Sequence, residues 1–84
     1  MISRENKGIK QLQSVFKITE REFEIIDLTI SGFSNKDISD KLGITGRTVE
    51  THLNNIYNKL SIKSKVELLA LAYDFNLIQK EYMH

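Results

Sequence analysis

The sequence predicts an all-α domain of four helices, at about residues 20–31, 35–42, 46–60 and 65–75, with a polar arm in front. Three observations predict it. A Ser/Thr helix start recurs along the chain, apolar residues between the starts follow helical spacing, and strand signals are missing: no Pro, four Gly, no alternating β-branched run.

In the start signal an apolar residue precedes a hydroxyl cap and a second apolar residue follows four positions after it, so the two staple the entering chain to the first turn. Ile18, Thr19 and Phe23 open the helix at 20–31, and Thr19 with Glu22 makes a capping box. Gly32 can take the left-handed stop after it. Phe33, Ser34 and Ile38 open the second helix, which Gly43 turns, and Ile44, Thr45 and Val49 open the third. Ser64 and Glu67 form a further box ahead of Leu68, with Lys63 unable to act as a staple, and Asn76 ends that fourth helix. Residues 1–17 read as a linker or flexible arm, polar and disordered over 1–8, with Ile9, Leu12 and Phe16 spaced for a short amphipathic turn or helix at 9–16. Residues 79–84 read as a tail. Gly43 in a short link, with the small Ser39 four residues before it, is helix-turn-helix spacing.

The bulk properties restrict function. Eighty-four residues hold one domain, which buries roughly 60% of its unfolded surface. With no Cys there is no disulfide framework, thiolate nucleophile or cysteine metal site, and a reducing, cytoplasmic setting is expected. No apolar run approaches the ~20 residues of a membrane span, and residues 1–10 lack a signal-peptide core. The net charge of +1 is small, but its distribution is not even. Between residues 36 and 65, Lys36, Lys41, Arg47, Lys59, Lys63 and Lys65 outnumber Asp37, Asp40 and Glu50, which marks the middle of the chain as the anion-binding part.

The helix at 46–60 has two unlike faces. Val49, Leu53, Ile56 and Leu60 make a narrow apolar seam, which is core. Arg47, Glu50, Thr51, Asn54 and Asn58 share roughly a third of the circumference on the other side. A solvated face favours long charged residues in i,i+4 pairs, whereas Thr and Asn are poorer helix formers. Their short donors and acceptors suit base edges: Asn pairs with adenine, Arg with guanine, Glu accepts from cytosine, and the Thr methyl meets that of thymine. At the amino end, the amides of Gly46, Arg47 and Thr48 and the helix dipole favour a phosphate, with Thr45 and Lys36 as additional donors.

Catalytic chemistry finds no support. His52 beside Glu50 lacks the second His that a helical zinc motif places one turn away, the other His being His84. Asp37 and Asp40 suit capping and solvated roles, and no Gly-rich phosphate loop is present. No catalytic residue, metal site, cofactor or small-molecule ligand is therefore expected.

The segments ITEREFEII, GFSNKDISDKLGITGRTVETHLNNIYNKL and KSKVELLALA together resemble the LuxR-type output domain of NarL- and FixJ-like response regulators and of quorum-sensing regulators. The resemblance covers about residues 18–78. It implies a bacterial transcriptional regulator whose helix at 46–60 enters the major groove of double-stranded DNA, and which pairs weakly as a homodimer through the helix at 65–75. Carried over by position, it implies base reading by Glu50, Thr51 and Asn54 and backbone contacts by Lys36, Thr45, Arg47, Thr48 and Lys65, to which the face itself adds Asn58. Relatives often carry Lys where this chain has Glu50, Arg where it has Lys65, Asn where it has Ser64, and Gly where it has Asn76.

Beyond the core candidates Leu68, Leu69 and Ala72, the last helix offers Val66, Ala70, Leu71 and Tyr73 as an apolar interface, with the alternative that Leu71 or Tyr73 covers the first helix or the linker. A competing expectation uses that surface differently: a helical protein-interaction module or anti-regulator on the same scaffold, which Glu50 and the near-neutral charge favour. No receiver or sensor is read in the sequence, so the domain is either a stand-alone regulator or the output end of a longer protein.

Overall fold

The structure is a computed structural model that describes residues 7–74. Its elements are α1 (Lys7–Val15), α2 (Glu20–Ile30), α3 (Asn35–Leu42), α4 (Gly46–Leu60) and α5 (Lys65–Asp74), with no strand among the described residues. Helices α2, α3 and α4 pack on one another pairwise, and α1 and α5 add to the same core. That core joins Ile9 and Leu12 of α1, Phe23, Ile25 and Ile26 of α2, Ile38 of α3, Val49, Leu53 and Ile56 of α4, and Leu68 and Ala72 of α5. Burying each of the larger of these side chains, Ala72 excepted, contributes about 1.5–3 kcal/mol, the main return against chain entropy in so short a fold.

The start signals work as local devices. Thr19 accepts from the Glu22 amide at 3.1 Å, and the Glu22 carboxylate accepts from the Thr19 amide at 2.9 Å. Ser34 and Asp37 make a second box, with the Asp37 amide donating to the Ser34 hydroxyl at 3.1 Å. From sequence Ser34 is expected only as a cap, because the box motif asks for Glu or Gln three residues on. All three staples meet the core: Ile18, Phe23, Ile38 and Val49 are buried, and Phe33 and Ile44 pack against them.

The stops carry two surprises. Gly32 (φ +97) does end α2 in the expected way: its amide donates to the Thr29 carbonyl and that of Phe33 to Leu28, a Schellman closure. Gly43 (φ +68) turns the chain after α3, where the Ile44 amide reaches back to Ser39. The same left-handed conformation recurs at Ser61 (φ 57) after α4 and at Lys17 (φ 58) after α1, without a glycine. Asn76, residue 75 and the 79–84 tail lie outside the described residues.

Three expectations shift. The amphipathic stretch expected at 9–16 is a helix that begins at Lys7, so residues 7 and 8 leave the polar, disordered start assigned to 1–8, and Gly8 is buried. At the start of α5 the Glu67 amide donates to the Ser64 hydroxyl, but the Glu67 carboxylate takes the Lys63 amide instead of that of Ser64. On α5 it is Leu71 that packs against the core, while Leu69 is only half-buried and absent from it. Leu68, Leu71 and Ala72 stand at i, i+3 and i+4, one helical stripe that excludes Leu69.

Candidate nucleic-acid interface

Helix α4 is held at its amino end by Thr45, whose extended backbone lets the side chain accept from the Thr48 amide at 3.1 Å. The two hydroxyls lie 2.9 Å apart, so one of their protons remains to donate outward. Of the three amides expected to face an anion, that of Thr48 is therefore already used by the cap. Those of Gly46 and Arg47 have no acceptor within the helix. A Cβ built on Gly46 would meet nothing within 4 Å, so the approach to these amides is open.

Around the helix the two faces separate fully. Val49 and Ile56 are 0% exposed, with Leu53 and Leu60 nearly so, and this stripe faces the core shared with α2 and α3. Arg47, Glu50, Thr51, Asn54 and Asn58 are all exposed, on the side opposite the seam. Thr51 donates its hydroxyl to the Arg47 carbonyl at 3.0 Å, leaving an acceptor oxygen and a methyl group toward solvent. Nothing among the described residues pairs with the Glu50 carboxylate or the Arg47 guanidinium. Asn55 is also exposed and borders Thr51 and Asn58, an extension that the sequence reading passed over although it stands one turn after Thr51. His52 is half-buried on the flank of the seam.

Among the basic residues, Lys36 has a side chain 83% exposed and an i,i+4 pair with Asp40 at 3.2 Å. Such a pair contributes little in water, so Lys36 can exchange it for another anion. Arg47 and Lys65 are exposed. Lys41 is turned over the Phe33 ring at 5.6 Å. Lys59 behaves differently from the rest: its ammonium donates to Glu22 at 2.6 Å and to the Lys17 carbonyl at 3.0 Å. Glu22 is 4% exposed. Burial alone would push its carboxyl pKa up, but the bonds from Lys59 and from the Thr19 amide, with the Lys59 charge, hold it below its ordinary value of 4.5.

On α5, Val66 is 75% exposed, Tyr73 and Ala70 are exposed, and Leu71 faces inward. The four residues expected to form one interface therefore divide, and three are left at the surface. No helix among the described residues is long and apolar enough to cross a membrane.

Comparison with known proteins gives a consistent picture. Residues 17–72 match the family described as bacterial regulatory proteins, luxR family. The response regulator protein VraR of Staphylococcus aureus and that of Staphylococcus epidermidis are each 35% identical over 79 residues, 94% of this chain. The chain spans 38% of the length of these relatives. A family match that runs from the turn before α2 into α5 takes in the capped helices and the two-faced α4 alike, and the chain belongs to the luxR family of bacterial regulatory proteins, DNA-binding transcription regulators built on a helix-turn-helix.

Proposed function

We propose that this chain reads a specific double-stranded DNA site by laying α4 in the major groove. The observation that carries the proposal is the exposed face of α4, made of short hydrogen-bonding side chains opposite a fully buried seam. Glu50, Thr51 and Asn54 meet base edges. Lys36, Thr45, Arg47, Thr48, Asn58 and Lys65 lie along the phosphates, with the Gly46 and Arg47 amides as further donors. An unpaired Glu50 is an acceptor only, so it favours an exposed amino group, as on cytosine, and repels phosphate. Thr51, its proton already given to Arg47, can accept from an amino group or touch a thymine methyl, and donates to neither purine N7 nor O6.

Pairing of two copies on a symmetric site would use Val66, Ala70 and Tyr73 of α5. One helix face is a small interface, so the free homodimer is weak and the DNA brings the copies together. The competing interaction module draws on the same exposed Val66 and on Glu50.

Two variants separate these readings in a salt titration of DNA affinity. Lys36→Ala weakens binding to all duplexes alike and lowers the slope of log K against log salt by about one phosphate contact. Asn54→Ala costs roughly 1–3 kcal/mol on the preferred duplex and little on a scrambled one. Equal losses for both variants on both duplexes would refute the assignment.

A further inference from the structure

We propose that Lys59 is a positioning residue that sets the angle of the reading helix, and that it is not one of the phosphate-binding cations. The inference deepens the DNA-reading proposal above and rests on it. By sequence Lys59 belongs with the basic residues of the middle segment, and it follows directly after Asn58 of the exposed face. One residue further along an α-helix is about 100° around it, however, which moves Lys59 off that face and onto the flank toward α2.

There its ammonium joins three segments of chain. It donates to Glu22 in the first turn of α2 at 2.6 Å and to the carbonyl of Lys17 in the turn after α1 at 3.0 Å, while it stands in the last turn of α4. The same Glu22 oxygen accepts the Thr19 amide at 2.9 Å. The left-handed backbone of Lys17 (φ 58) belongs to the turn that offers the carbonyl. Glu22 is 4% exposed, and a buried carboxylate needs a counter-charge at a fixed place. Lys59 supplies it, and among the described residues no other cation pairs with Glu22.

Helix α4 has 15 residues, roughly 22 Å, and its two ends are held by different means: Thr45 at the start and the Lys59 contacts at the finish. The apolar seam between them is narrow and non-directional, so it resists separation better than it resists rolling. Directional bonds at one end fix the roll. A small roll displaces Glu50, Thr51 and Asn54 from the geometry that bidentate base contacts require, but leaves flexible Lys36 and Lys65 able to follow a phosphate. Loss of Lys59 therefore removes sequence discrimination and leaves salt dependence intact.

The test measures the affinity of the full chain for a preferred duplex and a scrambled duplex across a salt series. It compares wild type with Lys59→Met and with the double variant Glu22→Gln/Lys59→Met. The double variant leaves no buried charge unpaired, and Gln keeps the capping box with Thr19, so it folds even where the single variant does not. The expected result is a loss of about tenfold or more in the ratio of preferred to scrambled affinity, the value of one good base contact, with an unchanged salt slope. A salt slope reduced by about 0.9, with both duplexes weakened equally, would make Lys59 a phosphate contact and overturn the proposal. An unchanged ratio in the double variant would overturn it too. A wild-type chain that failed to distinguish the duplexes would instead remove the DNA-reading proposal beneath it.

Discussion

Ser61 closes α4 at φ 57 and ψ 42, a conformation that an L-residue occupies at a cost of about 1–2 kcal/mol and glycine adopts freely. Its exposed side chain makes no hydrogen bond among the described residues, so nothing is lost with it. Glycine loses more entropy on folding, which takes back roughly 0.5–1 kcal/mol. The net expectation for Ser61→Gly is a gain of about 0.5–1 kcal/mol, a rise in melting temperature of about 2–8 °C for a domain of this size. The reciprocal change supplies the control. Gly43 sits at φ 68 and ψ 33, and a Cβ there meets nothing within 4 Å, so Gly43→Ser reverses the same balance and lowers stability by about 0.5–1 kcal/mol. Thermal melts followed by circular dichroism read both. A fall in melting temperature for Ser61→Gly, or no change for Gly43→Ser, would refute the assignment of strain to these two caps.

The remaining predictions concern the core and the buried ion pair. Leu12→Ala removes a side chain that is 2% exposed in the common core and costs about 2–5 kcal/mol in a denaturant melt, against about 0.5 kcal/mol or less for a residue in a free linker. The folded-state pKa of Glu22 lies below 4.5, so its contribution to stability is complete above that value and is lost as pH falls through the lower folded value. Melting temperature followed from pH 6 downward should therefore fall below about pH 4.5, and Glu22→Gln should flatten that fall; an unaltered acid profile in the variant would assign the loss to other carboxylates.

What the sequence discloses here is local, and what it conceals is long-range. Thr19, Ser34 and Thr45 were legible because a cap and its staple lie within five residues, and the two faces of α4 because helical periodicity is a property of one segment. The Glu22–Lys59 pair joins residues 37 apart in sequence, and Glu22 already had a complete local explanation as a capping residue. Ser61 carried no stop signal, since a serine in the left-handed region is permitted but not announced. Leu69 and Leu71 were equally apolar candidates on α5, where apolar residues occupy most of the circumference and the stripe facing the core does not stand out. Helix α1 read as an arm because its polar start outweighed two apolar positions, Ile9 and Leu12, that the core in fact buries.

Sequence-specific DNA binding by this chain turns on whether the exposed face of α4 recognises base pairs. Selection of duplexes from a random pool by the full chain, followed by affinity measurements over a salt series, tests this most directly. The expected result is an enriched site and an affinity for it that falls linearly on a log–log plot as salt rises. A pool that emerges unenriched, with no salt-dependent binding, would contradict it and leave the scaffold to a protein partner.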